Sequence, residues 1–252
     1  MVNKRIAAVL CSIFVVLVLE GSATANKTPD QARSLFEETI LLLNRTGGIA
    51  NFYPPHGQAP LVGAEANLLP PQEVGKALDT VISNLREVIR LDPSISAAHY
   101  FLGVAYLKKM DSDKAISEFY TAIDVEPRRE LTYVLLCDLL LYAKKYDAAL
   151  DVASRMATQF PEKQITPAML AGQAFFLMGD FQESLDYGTK IIKLDSSQVE
   201  GHILAWCSYY CLGDGKAAAE QLKILGADPT MSKQIIELKA GLKKRCGEID
   251  AP

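Results

Sequence analysis

Histidine is scarce in this chain, with three residues in 252: His56, His99 and His202. No serine, histidine and aspartate follow one another in a nucleophile order, and no glycine-rich loop is spaced to cradle phosphate. No pair of carboxylates has supporting context either, so the common catalytic designs are excluded. Excess positive charge is also missing: 26 basic residues face 30 acidic ones, a net of −4. That balance argues against nucleic acid, whose backbone needs a basic patch, and against adsorption to anionic lipid. Sustained two-residue alternation is absent, so no sheet is expected.

What the chain does have begins with Lys4 and Arg5 ahead of an apolar run, Ile6–Leu19, broken only by Ser12. Ala23-Thr24-Ala25 then supplies the small-x-small pattern of a signal-peptidase site. The run is about 14 residues, short of the roughly 20 needed to span a bilayer. Residues 1–25 therefore read as a cleavable secretory signal, with an uncleaved anchor as the alternative. Cys11 lacks the small preceding residue of a lipoprotein site. Cleavage removes Lys4, Arg5 and Glu20, leaving 26 less 2 basic against 30 less 1 acidic residues, a net of −5. An extracytoplasmic chain is expected, in the bacterial periplasm, with no stable membrane insertion after cleavage.

Thr28-Pro29-Asp30-Gln31 is a helix start: Thr28 caps, Pro29 fits the first turn and Gln31 completes a capping box. Ala32, Leu35, Phe36, Ile40 and Leu43 follow at helical spacing until Gly47-Gly48 stops the run. Prolines 54, 55, 60, 70 and 71 mark the next stretch as an insertion, with a short helical turn over 64–69. From Gln72 onward the pattern is helical, in pairs joined by tight turns at Lys109–Asp113, Lys144–Asp147, Gly179–Phe181 and Gly213–Gly215. Pro93, Pro127 and Pro161 recur at intervals of 34 residues, the period of a helix–turn–helix repeat. Four segments result. They are the signal (1–25), an N-terminal helix with its Gly/Pro-rich insertion (26–71), the repeats (72–229) and a basic capping helix with its tail (230–252).

The unit from Ser96 to Arg129 carries His99, Leu102, Gly103, Tyr106, Ala115, Phe119, Ala122 and Pro127. These residues resemble the tetratricopeptide-repeat pattern, with His for Trp the one departure. The second unit has Tyr133, Leu136, Ala149 and Pro161, with Cys137 for Gly and Ala153 for Phe. The third keeps Gly172, Phe175, Gly179 and Ser184, with Asp195-Ser196 for Asp-Pro. The fourth keeps Tyr209, Gly213 and Ala218 but has Trp206 at the glycine position, where it is expected to push its helix pair apart. The resemblance implies an all-α fold: a right-handed superhelical solenoid of antiparallel helix pairs closed by a C-terminal capping helix. The helix from Gln72 to Leu91 would be the second member of a further unit, with Pro29–Asn44 as its first.

In that family the first helix of each unit lines a groove for partner peptides. The matching positions are Tyr100, Val104, Leu107 and Lys108; Val134, Asp138, Leu141 and Tyr142; Met169, Gln173, Phe176 and Leu177; Ile203, Cys207, Tyr210 and Cys211. Lys108 is the one basic residue among them, so a carboxylate clamp is not expected and an apolar or aromatic segment suits the groove better. The alternative is that residues 47–71 cover it. Of the mature cysteines, 137, 207, 211 and 246, Cys207 and Cys211 share a helix face. They could form a soft-metal or thiol pair, but the more economical reading is core or groove packing. A Cys246 bridge to the fourth unit is conceivable from sequence and not deducible from it. His99 and His202 read as packing residues. The sequence thus points to a non-enzymatic interaction scaffold, plausibly in envelope assembly or secretion, with no cofactor, no metal and a protein or peptide partner. A thiol- or metal-handling protein and a self-associating structural repeat, a homo-oligomer, are the alternatives.

Overall fold

The computed structural model describes residues 29–47, 68–226 and 232–247. The segment expected to be a secretory signal and the insertion between Gly48 and Asn67 fall outside these residues. Every regular element among the described residues is an α-helix. In chain order they are α1 (Pro29–Arg45), α2 (Pro71–Leu91), α3 (Ala97–Lys108), α4 (Ser112–Val125), α5 (Glu130–Tyr142) and α6 (Tyr146–Gln159). There follow α7 (Ile165–Met178), α8 (Phe181–Leu194), α9 (Val199–Leu212), α10 (Gly215–Leu225) and α11 (Ser232–Cys246). None of them is long and apolar enough to cross a membrane. The chain divides into two compact units between Ala115 and Ile116, inside α4.

The first unit is built on α1, α2 and α3. Ala77, Leu78, Val81, Ile82, Leu85 and Val88 form the buried stripe of α2, at the spacing that puts them on one helical face. Ala32 and Leu43 of α1 are buried as well, and α1 packs on α2. The Leu69 N–H donates to the Arg45 carbonyl at 2.8 Å, so α2 starts beside the end of α1 and the two run antiparallel. Pro29–Asn44 therefore does supply the first helix of the additional pair. Residues 68 and 69 are not helical, and the rest of the expected turn lies outside the described residues. Between α2 and α3 the Asp92 carboxylate accepts from the backbone N–H (3.0 Å) and hydroxyl (2.5 Å) of Ser94.

In the second unit consecutive helices pack as neighbours from α5 through α10, and α5 also meets α7 while α7 meets α9. Two rows result, with α5, α7 and α9 in one and α6, α8 and α10 in the other. The sequence explains the division. The α5, α7 and α9 helices are apolar on nearly every side, whereas α6, α8 and α10 carry one buried stripe and one polar face. Close approach of α8 and α9 depends on a missing side chain: a Cβ on Gly188 would sit 2.9 Å from the Ala205 backbone nitrogen.

The four helix pairs from α3 to α10 turn at the same register position. Met110 (φ 61°), Lys144 (φ 58°), Gly179 (φ 95°) and Gly213 (φ 81°) all take the left-handed conformation there. The next residue caps the second helix where it is aspartate: Asp180 accepts from the Glu183 N–H at 3.2 Å and Asp214 from the Ala217 N–H at 3.0 Å. The loss of the fourth proline has a local remedy. Asp195 accepts from the Gln198 side chain (2.8 Å) and from the Ser197 hydroxyl (2.7 Å) and N–H (2.9 Å). These bonds pull its carboxyl down to about 2, and they hold the turn that Asp92 holds with Ser94.

Trp206 does not force its pair apart. It is 2% exposed and packs with Cys207, Ala218, Leu225 and Leu242. The indole fits because Ala218 on α10 is small and because Leu242 comes from α11, outside the repeat itself.

Candidate functional site

Apolar helices that pack on both flanks still have one side left over, and in the second unit that side carries the residues expected in a groove. On α5 a stripe at helical spacing runs through Leu131, Val134, Asp138 and Tyr142. Val134 and Asp138 are half-buried, while Leu131 is 42% and Tyr142 80% exposed. Among the described residues no hydrogen bond or ion pair reaches the Asp138 carboxyl. Burial beside Cys137 and Leu141 pushes it up to about 7. Leu131 is not among the positions that the family's groove pattern marks, although it lies one turn before Val134 on the same face.

The expected positions on α7 and α9 fare differently. Met169 is buried (7% exposed) and Gln173 half-buried. Phe176 lies under Arg245 of α11, whose guanidinium sits 5.1 Å from its ring centroid and 5.9 Å from that of Phe181. The same guanidinium donates to the carbonyls of Phe176 and Leu177, at 2.9 Å each, in the last turn of α7, where the Phe176 carbonyl also accepts from the Gly179 N–H at 3.1 Å. Ile203 and Tyr210 pack around the Trp206 cluster with Leu238 and Leu242, and the Tyr210 hydroxyl donates to the Gly247 carbonyl at 3.1 Å. Cys211 is joined to Cys246 by a disulfide. The groove positions of α9 are thus occupied by the chain's own last helix.

This arrangement removes the thiol or metal pair. Cys211 is spent in the bridge, and burial pushes the Cys207 thiol up to about 12, far from the thiolate that nucleophilic or ligand chemistry needs. Cys137 is likewise pushed up to about 12, by burial and then by the Asp138 charge. Among the described residues no three His, Cys, Asp or Glu side chains are grouped to hold a metal.

In the first unit, Tyr100 is 3% exposed, with its ring against the edge of Phe101 at 5.0 Å. Leu107 is half-buried. Lys108 donates to the carbonyls of Thr46 (3.3 Å) and Gly47, just past the C-terminus of α1, where a cation meets the negative end of the helix. Burial lowers its pKa. The packing role of the histidine and tyrosine at the Trp position is plain in two units. Tyr133 is 1% exposed and stands edge-on to Phe160 at 5.9 Å. His202 is 7% exposed, with Nε2 3.0 Å from the Ser196 carbonyl and Nδ1 2.7 Å from the Gln221 amide.

Helix pairs of about 34 residues, a shared left-handed turn position and two rows of alternating helices define the tetratricopeptide-repeat fold, and this chain has it. The solved structures it resembles say the same. A tetratricopeptide-repeat protein from Parabacteroides merdae aligns at TM-score 0.59 and 15% identity, over 69% of each chain. PilF of Pseudomonas aeruginosa aligns at TM-score 0.55 and 17% identity, over 86% of this chain and 85% of the other. MamA of Desulfovibrio magneticus RS-1 gives 0.51 and 19%, over 68% and 90%. No protein-family model matches the sequence, and no curated protein does.

Proposed function

We propose that the chain is a non-catalytic protein-interaction module that receives a partner segment on the α5 side of the second unit's inner row. The observation that carries this reading is the unequal cover of equivalent positions. Those on α9 are occupied by α11, whereas Leu131 and Tyr142 of α5 leave two large apolar side chains in solvent. Such side chains, placed on a rigid helix, are what a binding hot spot requires, since little entropy is lost in ordering them. The secretory signal at 1–25 and the acidic balance suit work outside the cytoplasm, in the bacterial periplasm. Envelope assembly or secretion is the setting we propose, by analogy alone.

The test uses a random display library of 12-residue peptides, selected on the disulfide-bonded chain and then on its Leu131→Glu/Tyr142→Glu variant. Both positions are exposed, so the variant keeps its helical circular dichroism. We expect the selected peptides to bind the variant at least tenfold more weakly. Equal binding to both chains would sink the proposed face.

A further inference from the structure

The α5 face also says what kind of segment it takes. Asp138 stands in the middle of the stripe, half-buried, and no described side chain offers it a countercharge. A carboxylate in that position has given up part of its hydration and received nothing in return, so a cation brought by a partner gains more there than at an open surface. Tyr142, one turn later, adds an exposed ring beside which a cation is favoured.

The same row of helices already holds one occupant whose chemistry is visible. The α11 helix carries Lys233, Lys239, Lys243, Lys244 and Arg245. It seats on α9 through Leu242 and on the end of α7 through Arg245, with the guanidinium against Phe176 and in two hydrogen bonds. An amphipathic helix with one cation, Arg245, among its contacting side chains is therefore what α7 and α9 accept within the chain, while its lysines face solvent. The α5 stripe shares the apolar side chains and adds a carboxylate, Asp138, where α7 has Gln173 and α9 has Cys207.

We propose that the α5 stripe binds a basic amphipathic segment of a partner protein, with a lysine or arginine paired to Asp138 and apolar neighbours on Leu131 and Tyr142. This rests on the interaction reading above and names the partner's chemistry.

The experiment takes the selected 12-residue peptides and replaces their lysine or arginine by glutamine, measuring both forms against the wild-type chain and the Asp138→Asn variant. Loss of the cation should weaken binding to wild type at least tenfold and leave binding to Asp138→Asn almost unchanged. Asp138→Lys should weaken the cationic peptides further and favour the same peptides with glutamate at that place. Selected peptides that lack a cation, or a cation whose loss costs the same in both chains, overturn the proposal. The interaction reading survives that result if Leu131→Glu/Tyr142→Glu still abolishes binding, and selection of no peptide at all overturns both. A chain that self-associates, and loses this in Asp138→Lys, would make the α11 of a second copy the occupant and also overturn the assignment to another protein.

Discussion

Adding one methyl group at Gly188 tests whether the α8–α9 contact is as close as the backbone shows. A Cβ there would lie 2.9 Å from the Ala205 nitrogen, 3.2 Å from the Gly201 carbonyl oxygen and 3.3 Å from the Ala205 Cα. All three are main-chain atoms of α9, so no rotamer change relieves the overlap and the helix itself must move. Overpacking costs about 1–3 kcal/mol, and displacement of main-chain atoms belongs to the upper half of that range, about 2–3 kcal/mol, while alanine returns about 1 kcal/mol of helix propensity. Gly188→Ala should therefore lose about 1–2 kcal/mol. Gly172 is the first comparison. There a Cβ would meet Leu204 Cδ2 at 2.3 Å and Tyr187 Cβ at 3.0 Å. Because Leu204 can swing away, Gly172→Ala should cost less than Gly188→Ala. Gly75 is the second, with nothing within 4 Å, so Gly75→Ala should stabilise by about 0.5–1 kcal/mol. Urea titrations followed by circular dichroism give the ranking, and emission of Trp206, the single tryptophan, isolates the second unit. A Gly188→Ala chain as stable as the parent at unchanged m-value would refute the close approach.

Two further outcomes follow from the groove side of the second unit. The Asp138 carboxyl titrates at about 7 in the folded chain against an ordinary 3.8, so the native state holds its proton through that window. Its stabilising contribution is complete below pH 4 and is lost as pH rises through 7. Relative to the parent, Asp138→Asn should thus gain about 1–2 kcal/mol at pH 8, after discounting for the solvent the half-buried group still meets, and should match it near pH 4. A parent more stable than the variant at pH 8 would reverse the sign and discard the argument. The Cys211–Cys246 bridge closes a separation of 35 residues, worth about 4 kcal/mol in the chain-entropy treatment. Leu242 is the one buried apolar anchor of α11 among its described side chains. Cys246→Ser should therefore strip hydrogen-exchange protection from α11 and shift Trp206 emission to the red, while α5–α8 stay protected. Unchanged protection of α11 would show that its packing suffices without the bridge.

The repeats were legible because local rules repeat with them. Pro93, Pro127 and Pro161 mark the period, Gly179 and Gly213 mark turns that need positive φ, and even the pairing of α1 with α2 across the insertion could be read from apolar spacing. Met110 and Lys144 adopt the same turn without glycine, so residue type alone would have missed those two. What sequence could not supply was the path of α11. Cys211 and Cys207 lie one helical turn apart, and nothing in that spacing says which of them meets Cys246. The misjudgement of Trp206 has the same root. A Trp at a glycine position is an overpacked site if the repeat is considered alone, and a filled one once Leu242 arrives from a helix with no place in the repeat pattern. The same arrival withdrew Phe176 and Tyr210 from the open face, and among the described residues Leu131 and Tyr142 of α5 stay exposed.

The bridge between Cys211 and Cys246 changes how the second unit comes apart. In a stack where each repeat touches only its neighbours, the terminal repeat has half the support of the others and opens first. Here the terminal pair is tied covalently across a span of about one repeat, so α11 cannot peel away while the bridge lasts. Fraying that would otherwise start at α9 and α10 is denied its free end. The order of opening at this end is therefore written into the covalent structure, since the bridge must break before α11 can leave.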